Sequence, residues 1–147
     1  MVSLRLVIGP MAKSLRVLCA NQNRILREGI RVLITMQPDF DLVGSVASAD
    51  AVVSIFAEEL PDVTLVDVDL PADSGLDAIS CIRQIDPGAW IIALITDEDE
   101  ERCSRALTAG ASNFLAKDRI GSMLIPLIRA HVPSEGGPKP ETFSNVK

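Results

Sequence analysis

The feature that most limits what this chain can fold into is a regular alternation. Five short apolar runs are each followed by a stretch with apolar residues every three or four positions. The runs at 15–20, 41–46, 63–67, 90–95 and 113–116 have the length and apolar content of strands. Helical stripes follow through Leu26, Ile30 and Leu33, and through Val52, Ile55, Phe56 and Leu60, the latter opened by Ser48 or Asp50 as a cap. A third stripe carries Leu76, Ile79 and Ile82. A fourth helix begins in the acidic run 97–101 and stops at Gly110, and a last one carries Ile120, Leu124, Leu127 and Ile128. The spacing predicts an α/β fold, (βα)5. Strands this apolar imply a parallel sheet covered on both faces, a doubly wound architecture. Right-handed crossovers with helices on both sides force the winding to reverse once, which opens a crevice at the carboxyl ends of the strands.

A chain of 147 residues is enough for one domain. That domain is expected at 14–131, with an N-terminal extension at 1–13 and a Pro/Gly-rich, linker-like or disordered tail at 132–147. The head carries an echo of strand one: Ser3-Leu4-Arg5-Leu6 resembles Ser14-Leu15-Arg16-Val17. The second copy is taken as the strand because a polar loop and an amphipathic helix follow it, and Met11 offers an alternative start. Fourteen basic against twenty acidic residues leave a net charge of −6, without the basic field that non-specific nucleic-acid binding requires. Aromatics are 3 % and Tyr is absent, so a base-stacking platform is excluded as well. The three cysteines, Cys19, Cys81 and Cys103, are widely spaced and the single histidine is His131, which rules out a zinc site and suggests buried, unbridged thiols in a reducing cytosol. No run reaches membrane-spanning length and the head lacks a cleavage site, so a cytoplasmic location with no membrane partner is expected.

At the predicted strand ends stand Asn21-Gln22-Asn23, then Asp67 followed by Val68-Asp69-Leu70-Pro71, then Ile95-Thr96, then Lys117-Asp118. A central carboxylate beside a lysine suits phosphoryl acceptance, with Asp as nucleophile and Lys neutralising developing charge, or a plain ion pair. Taken singly, Asp67 reads as a turn cap equally well. A small flavodoxin-like enzyme or cofactor binder would need a glycine-rich phosphate loop after strand one, and residues 20–24 contain no glycine.

Several segments, Arg27-Glu28-Gly29-Ile30, Asp67-Val68-Asp69-Leu70-Pro71 with Ser74-Gly75-Leu76, Ala109-Gly110-Ala111 and Phe114-Leu115-Ala116-Lys117-Asp118, carry a resemblance. In order and spacing they resemble the receiver domain of two-component response regulators, CheY-like and most similar to the NarL/FixJ group, over about 14–131. The resemblance implies the flavodoxin-like strand order 2-1-3-4-5, Asp67 as phosphoacceptor, Lys117 as the phosphoryl-contacting lysine and Phe114 at the aromatic switch position. It also implies a signalling module in place of a turnover enzyme, a histidine kinase as partner, and control of transcription. DNA binding would belong to a C-terminal output domain, and these 147 residues contain no helix-turn-helix.

The departures are as informative. Where the family places an acidic pair for Mg²⁺, this chain has Asn21 and Gln22, and amides bring no charge to a cation that favours anionic oxygens. Ile95 falls on the switch-hydroxyl position, with Thr96 one residue late. The expectation is an atypical receiver without a cofactor, impaired in Mg²⁺-dependent phosphorylation. The alternative is a conventional phospho-accepting receiver, phosphorylated on Asp67, with weak Mg²⁺ binding through Asp67, Asp69 and Asn21. In the last helix Pro126 is expected to cause a kink, and Met123 to Ile128 read as apolar on more than one side. That predicts a homodimer through this helix, with Ile125 excluded from the core.

Overall fold

The computed structural model describes residues 14–96 and 99–131. The extension at 1–13, the tail at 132–147, and Asp97 and Glu98 of the acidic run lie outside the described residues. Among those described, the strands are β1 (Leu15–Ala20), β2 (Phe40–Val46), β3 (Val63–Asp67), β4 (Ile91–Ile95) and β5 (Asn113–Ala116). The helices are α1 (Arg24–Thr35), α2 (Ala49–Glu59), α3 (Ser74–Ile85), α4 (Glu100–Ala109) and α5 (Ile120–His131). All strand pairings are parallel and the order is β2-β1-β3-β4-β5, the flavodoxin-like topology expected. The winding reverses between β1 and β3, so the crevice opens beside Ala20 and Asp67.

Strand alternation divides the core in two. Ile91, Ala93 and Ile95 of β4 join Leu18, Ala20 and Val66 under α2, α3 and α4, meeting Val52, Phe56, Ile79, Ile82 and Ala106. The intervening Ile92 and Leu94 join Val17, Cys19, Val63, Leu65 and Leu115 under α1 and α5, meeting Ile30, Ile34, Ile120, Leu124 and Ile128. Each face uses every second residue of a strand, which is why these strands read as continuous apolar runs. Fully burying each large aliphatic side chain contributes about 1.5–3 kcal/mol, so the two cores hold the sheet rigid beneath the crevice.

Local chemistry sets the ends. The Asn23 side chain caps α1 by accepting from the Leu26 N–H at 3.0 Å, and Ser48, not Asp50, caps α2 by accepting from the Ala51 N–H at 3.2 Å. Asp99 caps α4 by accepting from the Arg102 N–H at 2.8 Å, and Glu100 and Glu101 complement the helix dipole. Trp90 precedes β4 instead of opening it; its Nε1 donates to Asn113 Oδ1 at 3.0 Å while its ring stacks on His131.

Two expectations need correction. Of the cysteines only Cys19 is buried; Cys103 is half-buried and Cys81 is exposed, because its position on α3 faces away from the stripe of Ala78, Ile79 and Ile82. Ile125 is not excluded from the core: it packs, with Leu127, against the α1/α5 core, and α5 runs from Ile120 to His131 with Pro126 exposed.

Candidate functional site

Most of the polar side chains at the crevice stand at or just beyond a strand end. Asp67 is the last residue of β3, and its side chain is only 2 % exposed. Its burial follows from α3, whose first turn lies directly on the β3 terminus. A Cβ on Gly75 would stand 2.6 Å from Val68 Cα and closer still to the Asp67 carbonyl oxygen, so only glycine admits this approach. The preceding loop bends through left-handed conformations at Ala72 (φ 60°) and Asp73 (φ 57°), an arrangement that L-residues adopt only at some cost.

Lys117 reaches across from the end of β5 and places Nζ 2.7 Å from Asp67 Oδ1. The ammonium is only partly exposed, so the pair sits in a medium where an opposite charge counts for more than at the surface. Asp67 Oδ1 also accepts from the Asp69 backbone N–H at 2.9 Å, which turns the loop back on itself.

Asp69, which sequence alone could not orient, faces the crevice. Its Oδ2 accepts from Thr96 Oγ1 at 2.8 Å and from Lys117 Nζ at 3.3 Å. Its Oδ1 accepts from Arg102 Nη1, on α4, at 3.2 Å. Burial alone would push the Asp69 carboxyl up, but the hydrogen bonds from Thr96, Arg102 and Lys117, together with the Lys117 charge, hold it below its ordinary value. Lys117 therefore bridges two carboxylates, and the Asp69 carboxylate bridges β4, β5 and α4. Arg102 was missed by sequence reasoning. The available signal was a basic residue in the first turn of a helix otherwise opened by acids.

Asn21 is wholly buried immediately after β1. Its Oδ1 accepts from the Asn23 N–H at 2.7 Å, and its Nδ2 has no partner among the described residues. Gln22 is exposed and donates from Nε2 to the Asp69 carbonyl at 3.4 Å. Arg27 Nη1 donates to the Asn21 carbonyl at 2.9 Å and fixes this loop. Ile95 lies in the core under α2, α3 and α4, so the hydroxyl at the end of β4 is that of Thr96. Phe114 is half-buried against the same core. The structure thus gathers Asp67, Asp69, Thr96 and Lys117 by direct contact, places Asn21 and Gln22 beside them, and leaves Ile95 and Phe114 in packing positions. A cleft of about 240 Å³ opens beside Asp69, lined among others by Asp73, Leu76, Asp99, Arg102 and Arg105.

Residues 17–128 match the family model described as the response regulator receiver domain. The chain belongs to that family. Its relatives include a Bacillus subtilis protein, "Uncharacterized transcriptional regulatory protein YxjL", which is 33 % identical over 82 % of this chain and 56 % of its own length. The chain therefore spans about half the length of that curated relative. Among solved structures, a LuxR-family two-component response regulator from Aurantimonas sp. SI85-9A1 superposes with a TM-score of 0.75 at 30 % identity, covering 80 % of this chain and 84 % of that one. The receiver domain of the putative response regulator NarL from Mycobacterium tuberculosis gives 0.74 at 21 % identity, covering 80 % and 94 %, and bears on the fold alone. No α-helix of this receiver, among the described residues, is long and apolar enough to cross a membrane.

Proposed function

We propose that this chain is the receiver module of a transcriptional response regulator whose acceptor pocket works as a fixed ion-pair centre, with Mg²⁺-dependent phosphorylation of Asp67 impaired. The observation that carries the reading is the donor set beside Asp67. Asn21 spends its amide oxygen on a backbone N–H, and its other amide atom, the buried Nδ2, is a donor and cannot ligate a cation. Gln22 directs its amide at a carbonyl. Two carboxylates remain, Asp67 and Asp69, and Lys117 neutralises part of both. Mg²⁺ requires near-octahedral oxygen ligation and is held best by anionic oxygens, so this set fits it poorly.

In this reading the receiver is a signalling and interaction module with no turnover of its own, located in the cytoplasm. Its output would be transcriptional, through a DNA-binding domain outside these 147 residues, and its partners would include a second copy and a histidine kinase. The conventional reading, in which a kinase phosphorylates Asp67, draws support from one feature: Asp69 turns its carboxylate into the pocket and supplies a second anionic group. Titration with Mg²⁺, followed by the amide chemical shifts of Asp67 and Asp69, separates the two. The expected result is no saturable change at low millimolar metal in the wild type and recovered binding in Asn21→Asp/Gln22→Asp. Saturation in the wild type overturns the proposal.

A further inference from the structure

Asp69 is saturated in a way that an exposed loop carboxylate seldom is. Three donors from three separate elements converge on it: the Thr96 hydroxyl after β4, the Lys117 ammonium after β5, and the Arg102 guanidinium on α4. A hydroxyl, an ammonium and a guanidinium pointing at one place make a binding cradle for an oxyanion, since each donates a hydrogen bond and two carry positive charge. The cradle is adjacent to Asp67, whose Oδ1 shares the same lysine at 2.7 Å. It also opens to the cleft between the β3–α3 loop and α4, so solvent anions have a route to it.

The geometry points to Asp69 as a resident anion: its carboxylate fills the oxyanion cradle of Thr96, Lys117 and Arg102 and holds β4, β5 and α4 together without any exogenous phosphoryl group. The inference rests on the proposed function, in which the pocket is not worked by phosphate, and goes beyond it by naming what occupies the cradle instead. The ion pairs form one network, with Asp67 and Asp69 on Lys117 and Asp69 and Asp99 on Arg102. Removing the Asp69 carboxylate takes the one anion shared by both cations, deprives the Thr96 hydroxyl of its acceptor, and leaves Lys117 with Asp67 and Arg102 with Asp99. A free oxyanion would then be drawn to the place the side chain vacated, where it restores an anionic acceptor to the hydroxyl, the ammonium and the guanidinium.

The test uses the full 147-residue chain and inorganic phosphate, in buffer without Mg²⁺ or any phosphodonor. Phosphate is titrated into the wild type and Asp69→Ala, and the amide shifts of Thr96 and Lys117 are followed. The wild type is expected to show no saturable change. Asp69→Ala is expected to bind phosphate about tenfold or more tightly than the wild type, as freed charge-assisted hydrogen bonds would give. Adding Thr96→Val to Asp69→Ala should remove most of that gain. Should Asp69→Ala fail to fold, Asp69→Asn keeps the side-chain volume while removing the charge, and the same gain is expected at reduced size. The inference is overturned if neither variant gains phosphate affinity, or if the wild type binds phosphate as tightly as the variants. Because the titration involves no covalent transfer and no metal, it reads the cradle alone. Failure of the proposed function is read separately, as covalent labelling of Asp67.

Discussion

Asp67 and Lys117 form the tightest charged contact of the pocket, and its two halves should not be equivalent to mutation. Asp67 is almost wholly buried whereas Lys117 is partly exposed, so Lys117→Met strands a carboxylate, while Asp67→Asn leaves an ammonium that still has Asp69. Lys117→Met is expected to cost about 3 kcal/mol in urea unfolding, and Asp67→Asn distinctly less, because an uncompensated buried charge is the larger penalty. Asp69 gives a pH signature. Its folded carboxyl titrates below its ordinary value, so its contribution is fully present above the unfolded carboxylate value and is lost as pH falls through the folded one. The urea midpoint should therefore fall below about pH 4, and Asp69→Asn should flatten that acid limb. The thiols differ as sharply. Burial pushes Cys19 up to about 12, against a smaller downward pull from Arg27, whereas Cys81 lies exposed on α3. A thiol reagent added to native protein should modify Cys81 and spare Cys19 until unfolding, and equal rates at both would contradict this. At this scale the sequence was only partly legible. The positions of Asp67 and Lys117 followed from strand-helix spacing. The orientation of Asp69 did not, because it is held by Thr96, Lys117 and an arginine arriving from a helix far along the chain.

Among the elements, α3 and α5 carry the most specific consequences. The first turn of α3 touches the β3 backbone at Gly75, so Gly75→Ala must push apart the strand that presents Asp67. The expected loss is about 1–3 kcal/mol, with shift changes centred on Asp67 and Asp69, and an unchanged pocket would contradict this dependence. For α5 the periodicity was legible and the environment was not. An apolar residue beside a proline reads equally well as surface or core, and only the proximity of α1 shows that Ile125 and Leu127 are covered. The exposed apolar residue of this helix is Met123, at 42 %. Helix α1 adds Ile25 and Val32, with Met36 at its C-cap, which fall on one face at helical spacing and are all exposed. A homodimer through α5 is therefore better tested by Met123→Glu than by a change at Ile125, which would also disturb the core. Sedimentation is expected to show wild-type dimer at about 100 µM, corresponding to roughly −5.5 kcal/mol, and monomer in Met123→Glu. A monomeric wild type at that concentration would contradict the dimer.

For the whole molecule, the alternation of apolar runs with helical stripes was sufficient to anticipate the parallel sheet and the crevice, because its central strands are buried on both faces, while the strand order followed from the family resemblance. What it did not disclose is the state of the crevice, since that depends on side chains from β3, β4, β5 and α4 meeting across long sequence separations. On the proposed reading, this receiver holds its switch region through its own carboxylates, and Asp67 is poorly able to accept a phosphoryl group. Covalent labelling of the 147-residue chain with acetyl phosphate in the presence of Mg²⁺, read by intact-protein mass, tests that reading at its centre. Little or no phosphorylated wild type is expected, with a marked gain in Asn21→Asp/Gln22→Asp. Stoichiometric labelling of the wild type that disappears in Asp67→Asn would contradict it.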